Sequence, residues 1–218
     1  KNISDDFERI SKMYSMPEWI VRKLINQYGI PKAEEICKNS NIRPKVTIRI
    51  NTLKTTVQEL QEMLDERNIQ YEVSIIPNFL HLKNVKNVSN LDLFKEGYFT
   101  VQDEGAGKIG IVLNPKPGEN VLDACSAPGG KTTHLAEIMN DEGNILALDI
   151  HEHRIKLVEE NAKRLGINII KTKIKNAFEY IEEYEQKFDK ILLDVPCMGI
   201  GVLKRKPDIK WQKEQKDI

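Results

Sequence analysis

The sequence predicts a doubly wound, Rossmann-like α/β domain, preceded by a small α+β unit and N-terminal helices. Three observations carry this reading. From residue 99 onward, short apolar strands alternate with amphipathic helices, the pattern of a parallel sheet covered on both faces. The adjacent glycines Gly129 and Gly130 join the first of these strands to its helix, where a backbone can come close to a ligand. Asp149 ends the second strand, nineteen positions after Gly130, close to the ~20-residue spacing of a ribose-binding acid.

Residues 1–45 read as a helical segment. Pro17 opens an amphipathic stretch in which Trp19, Ile20, Leu24, Ile25 and Tyr28 share one face, and Gly29 followed by Pro31 stops it. A second short helix is expected over 31–38. Residues 46–98 form a small α+β subdomain: 46–50 alternates like a strand, 57–66 has helical spacing, and 71–76 and 79–82 are short strands. A unit of about fifty residues is stable only when packed on a neighbour.

Residues 99–218 carry the alternation. A helix over 103–113 is ended by Pro115 and Pro117. Strands at 121–123, 145–149, 169–174 and 190–194 are separated by helices at 131–139, at 151–165 (closed by Gly166) and, more weakly, at 178–184. Right-handed crossovers arrange such strands as a doubly wound sheet. Four strands are visible, so the fold is expected to be truncated on its C-terminal side. A first residue of Lys1 rather than Met points to further residues upstream.

Of 218 residues, 40% are hydrophobic and 30% charged, enough for one core with a small companion. Thirty-three basic residues balance thirty-three acidic ones, so a nucleic-acid surface must be a local patch rather than a bulk charge. No apolar run is long enough to span a bilayer, and there is no signal-peptide pattern. Cys37, Cys125 and Cys197 are far apart, which argues against a disulfide framework or zinc site and fits a reducing cytoplasm. His81, His134, His151 and His153 show no metal or triad spacing and read as surface or structural; no metal is expected.

Two loops carry the chemistry. The first, DACSAPGGKT (123–132), could serve three cofactor classes. A dinucleotide loop wants GxGxxG, which the adjacent glycines do not supply. A P-loop wants GxxxxGK[ST]; Gly130-Lys131-Thr132 matches its end, but Cys125 stands where the first glycine belongs. The third class is S-adenosylmethionine, with its amino-acid end on this loop and its ribose on Asp149. Alone, Asp149 could equally cap the next helix; beside this loop, the ribose role is favoured. The second loop, LLDVPCMGIGVLKRKPDIKW (192–211), sets Asp194 and Cys197 at the end of the fourth strand, where ligands bind in open α/β sheets. A lone cysteine is often a small buried residue, but a glycine-rich loop after Pro196 is a poor place for one.

These two segments resemble the motifs of the RNA 5-methylcytosine methyltransferases, most closely the bacterial Sun/RsmB ribosomal RNA enzymes. The Pro17-Glu18-Trp19 helix, Arg49-Ile50-Asn51 and Val101-Gln102-Asp103 also match the family's pattern, so the resemblance covers most of the chain. It implies a class I methyltransferase fold that uses S-adenosylmethionine to methylate C5 of a cytosine, with small-subunit ribosomal RNA as the expected partner and transfer RNA as the alternative. It further implies that Cys125, Ser126, Ala127, Pro128, Gly129, Gly130 and Lys131 hold the methionine part. Asp149 would bind the ribose, and Asp194 would lie between cofactor and cytosine. Asn176 stands where relatives carry an aspartate near the adenine. By the same resemblance Cys197 assists product release, while the attacking cysteine belongs to a Thr-Cys motif absent from this sequence, so these residues alone are expected to bind rather than turn over. Lys204, Arg205 and Lys206 form a basic cluster suited to RNA phosphates, though a solvated loop is the plainer reading; Arg49 touches RNA by resemblance only. The target base must leave its stack, which favours an unpaired cytosine.

Overall fold

A computed structural model describes residues 5–217, which divide into two units, 5–44 with 196–217 and 45–195. The helical reading of residues 1–4 and the assignment of Ile218 lie outside the described residues.

In the first unit, Asp5 caps helix α1 (Asp6–Tyr14) by accepting from the Phe7 N–H at 2.9 Å. Helix α2 (Glu18–Tyr28) follows Pro17, and Gly29, at φ +77°, separates it from α3 (Ile30–Ser40). The left-handed backbone there is one that glycine adopts without steric cost. Ile10, Met16, Ile20, Val21 and Cys37 form the core together with Leu203, with Ile200 and Ile209 packed against it. Those last three residues explain one departure from expectation. The segment after Val195 belongs with the N-terminal helices, because its apolar side chains complete their core, rather than with the parallel sheet.

The second unit holds two sheets. Strand β1 (Val46–Ile50) leads to helix α4 (Val57–Glu66), whose capping box pairs Thr56 with Glu59. Strands β2 (Tyr71–Val73) and β3 (Phe79–Leu82), the short helix α5 (Asp92–Lys95) and strand β4 (Phe99–Val101) follow, and the strands pair antiparallel in the order β2-β3-β1-β4. Strand β4 corrects the expected boundary at residue 99. Phe99 pairs with Ile50 and is buried in the core of this sheet, so residues 99–101 belong to the α+β part. Strand β2 stops at Val73 because Ser74 turns the chain, its hydroxyl accepting from Ile76 N–H at 2.9 Å.

Helix α6 (Glu104–Leu113) then leads to a parallel sheet: β5 (Asn120–Asp123), α7 (Gly130–Ile138), β6 (Asn144–Asp149), α8 (Glu152–Leu165), β7 (Ile170–Ile174) and β8 (Lys190–Leu192). The strand order β7-β6-β5-β8 reverses at β5, so a crevice opens beyond the carboxyl ends of β5 and β8. Val121, Leu135, Met139, Ile145, Leu165 and Leu192 are buried together beneath it, each such aliphatic contributing about 1.5–3 kcal/mol. The expected helix over 178–184 is only a 3-10 turn, Glu182–Tyr184. Phe178 is 96% exposed, so that segment has no apolar face to bury.

Asn51 ties the two sheets together, its Nδ2 donating to the carbonyls of Gly97 and Leu165, each at 2.8 Å. Gly97 has φ +78°, and a Cβ there would lie 2.0 Å from the carbonyl oxygen of Arg164. Gly97→Ala is therefore expected to cost at least about 2 kcal/mol, measured as a lower midpoint in urea; an unchanged midpoint would mean that this seam yields freely.

Candidate functional site

Strand β5 delivers Asp123 to the crevice. Its Oδ2 accepts from the Thr132 hydroxyl at 2.7 Å, while Oδ1 is buried without a hydrogen-bond partner. Burial pushes this carboxyl up to about 6, against the stabilising bond from Thr132. The loop that follows is pinned from several sides. Ser126 donates its N–H and its hydroxyl to the carbonyl of Leu148, at 2.8 and 2.9 Å. Arg154 donates to the Ala127 carbonyl at 2.9 Å, and Asn161 to that of Pro128 at 2.9 Å; the Ala127–Pro128 peptide is cis. Gly129, at φ +97°, lies so close to α8 that a Cβ would meet the Val158 Cα at 3.1 Å. Gly130 then opens α7.

Strand β6 ends on Asp149, which is buried. Its Oδ1 accepts from the His151 N–H at 3.1 Å and its Oδ2 is 3.3 Å from Arg154 Nη1. The helix-capping and ligand-binding readings are therefore compatible, since part of the carboxylate steadies the start of α8. Asp194, just beyond β8, forms an ion pair with Lys131. The Cys125 thiol lies among these groups: burial pushes it up, and so do the charges of Asp123, Asp149 and Asp194. Three carboxylates from three strand ends thus surround one short loop. Asn176, after β7, is half-buried and its Oδ1 accepts from Phe178 N–H at 3.1 Å.

The chain matches the family model "16S rRNA methyltransferase RsmB/F" over residues 110–218 and that of an RsmF/B-like ferredoxin-like domain over residues 16–89. The chain belongs to the RsmB/F methyltransferase family. It is 38% identical over 216 residues to a probable ribosomal RNA small subunit methyltransferase B of Bacillus subtilis, an alignment covering 99% of this chain and 48% of that protein. Among solved structures, that of PH0851 is 36% identical with a TM-score of 0.90, covering 100% of this chain and 50% of that one. A methyltransferase homolog protein from Pyrococcus horikoshii is 29% identical with a TM-score of 0.82, covering 96% and 69%. The chain thus spans about half the length of the curated relatives it matches.

The cofactor of this RsmB/F family member is S-adenosylmethionine, and the residues present fit it. A ligand carrying a sulfonium and an ammonium suits a loop ringed by Asp123, Asp149 and Asp194, with one Asp123 oxygen unpartnered. The backbone N–H groups at the start of α7 suit its carboxylate.

Arg49 is a correction. Expected at the RNA surface, it is 1% exposed and donates Nε and Nη2 to both oxygens of Glu137, at 2.8 and 2.7 Å. Its remaining donors reach Gln102, Gly130 and Thr133, so none is left for RNA. Ser126 is a milder one: its side chain is spent on β6, leaving only its backbone for a ligand. Cys197 and the triplet Lys204, Arg205 and Lys206 belong to the other unit, where all four are exposed. Of the four histidines, His151 and His153 are exposed, whereas His134 is buried on α7 and His81 sits between Thr47 and Glu104, at 3.1 Å from each. Residue reasoning missed Asp123, although it begins the motif, and Arg154, which joins Asp149 to the cofactor loop. A basic residue five positions after the strand-end acid Asp149 was the available signal.

Proposed function

We propose that the protein transfers the methyl group of S-adenosylmethionine to C5 of an unpaired cytosine in small-subunit ribosomal RNA. The observation that carries this reading is the gathering of Asp123, Asp149 and Asp194 about the 123–132 loop, to which they are tied through Thr132, Arg154 and Lys131, in a chain of this family. The cofactor supplies an electrophilic methyl group. The chain's own residues bind and orient: Asp149 takes the ribose hydroxyls, and the backbone of 125–131 with Lys131 takes the methionine end. Asn176 lies toward the adenine. Asp194 hydrogen-bonds cytosine at N3 or its exocyclic amine, which favours thiolate addition at C6 and makes C5 nucleophilic. Cys197, exposed, assists elimination at C5 and so releases product. Lys204, Arg205 and Lys206 contact phosphates. By the family resemblance, the thiolate that adds to C6 comes from the cysteine of a Thr-Cys motif. The cytoplasm is the compartment proposed for this activity.

Calorimetric titration of the chain with S-adenosylhomocysteine, with ATP–magnesium as control, tests the reading. Binding of the first alone is expected, weakened at least about tenfold by Asp149→Ala, since a hydrogen bond to a charged group contributes about 1.5–3 kcal/mol. Binding of ATP instead would return the loop to the P-loop class.

A further inference from the structure

We infer that Arg49, Gln102 and Thr133 are positioning residues for the cofactor loop, holding its two glycine peptides at the start of α7 in the orientation that receives an anionic group. In this they act through the backbone and touch neither cofactor nor substrate.

The argument begins with the donors of Arg49. Nε and one Nη2 proton go to Glu137, at 2.8 and 2.7 Å; the other Nη2 proton goes to the Thr133 hydroxyl at 3.0 Å. Nη1 reaches Gln102 Oε1 at 2.6 Å and the Gly130 carbonyl at 2.8 Å. All five guanidinium protons are used, and the planar fork leaves them no alternative geometry. With Glu137 gripping it from one side, the guanidinium is a rigid clamp rather than a free counter-charge.

The clamp closes on two carbonyls. Gly130 O accepts from Arg49 and also from Gln102 Nε2 at 3.1 Å. Gly129 O accepts from the Thr133 hydroxyl at 2.8 Å, the same hydroxyl that Arg49 holds. A peptide is planar, with its N–H opposite its C=O. Fixing Gly129 O therefore aims the Gly130 N–H, and fixing Gly130 O aims the Lys131 N–H. Both are first-turn amides of α7, which have no partner within their helix and suit a carboxylate. Glycine has no side chain to hold these planes, so the holding is supplied from outside, by β1 and by the residue after β4.

The inference rests on the cofactor reading for its binding arm and not for its structural arm. In the 218-residue chain, Thr133→Val removes the hydroxyl at nearly constant shape, Thr133→Ser keeps it, and Gln102→Glu keeps the contact to Arg49 while removing the donor to Gly130. Two quantities are read: the affinity for S-adenosylhomocysteine, and hydrogen exchange at the Gly129 and Thr133 amides, which donate to Ser126 O at 2.8 Å and Gly129 O at 2.9 Å. Thr133→Val and Gln102→Glu are each expected to weaken binding about fivefold and to speed that exchange by a similar factor, the size of one hydrogen bond, with exchange in β3 unchanged. Thr133→Ser restores both. If Thr133→Val and Gln102→Glu leave loop exchange as it was, or if Thr133→Ser behaves as the valine variant does, the positioning role is overturned. If loop exchange responds but the unmodified chain does not bind S-adenosylhomocysteine, it is the cofactor reading that falls.

Discussion

Arg49→Met is expected to cost about 3–5 kcal/mol, the loss that follows when one partner of a buried ion pair is removed. Glu137 would then be left in the interior without its counter-charge, with Thr133 and Gln102 turned toward an empty place. Burial already pushes the Glu137 carboxyl above its ordinary range, and the fork of Arg49 on both its oxygens, with the charge of Arg164, works against that shift. The companion experiment removes both charges. Arg49→Met with Glu137→Leu leaves no uncompensated carboxylate and is expected to be more stable than Arg49→Met alone. Urea unfolding at neutral pH measures all three. A single-variant loss below about 1 kcal/mol, the range of an exposed pair, would show the pair to be solvated and would remove the basis for treating the clamp as rigid.

The second large effect is a pH dependence in which two buried groups oppose each other. His134 is buried against Phe79, at 6.0 Å between ring centroids, and its Nδ1 has no hydrogen-bond partner. Burial, with the nearby charge of Arg49, pushes its imidazole down to about 3. The fold therefore holds His134 neutral, and the stability this gives is present above about 6.5 and is lost as pH falls toward 3. The slope is about 1.4 kcal/mol per pH unit, or some 2–3 kcal/mol between pH 6.5 and 4.5. Asp123 acts in the other direction. Its carboxyl, pushed up to about 6 by burial, is protonated more readily in the folded chain, so stability falls as pH rises from about 4 to about 6. In the unmodified chain the two slopes largely cancel over that interval. His134→Gln is expected to leave a chain that weakens as pH rises from 4 to 6, and Asp123→Asn one that weakens as pH falls from 6.5 to 4. Thermal unfolding across that range measures both; parallel curves for the two variants would mean that neither group titrates as its burial implies.

The parallel sheet was legible because its central strands β5 and β6 are apolar runs closed by turn signals, and because Gly129-Gly130 and Asp149 stand at strand ends where the topology gives them a use. Strand β4 was not legible. Phe99-Thr100-Val101 is three residues long, and only its pairing with β1 reveals its sheet. Arg49 misled for a related reason. An arginine in a strand is usually solvated, and the residue that neutralises it lies 88 positions away. Sequence order contains the acid but gives no sign that the two meet. The segment after Asp194 reads as a continuation of the last strand's loop, and it took the buried Leu203 to show which core it completes.

The Arg49–Glu137 bond also bears on how this protein can be taken apart. Family profiles recognise a ferredoxin-like piece and a methyltransferase piece as separate stretches, which invites exchanging them as modules. The chemistry does not divide there. The guanidinium belongs to one piece and its carboxylate to the other, so a chimaera that replaces residues 45–101 with an unrelated fold is left with an orphaned glutamate beneath the 123–132 loop. A graft into this scaffold must bring its own arginine at the position of Arg49, to meet Glu137 and the retained Gln102, or the loop it is meant to serve will lose its support.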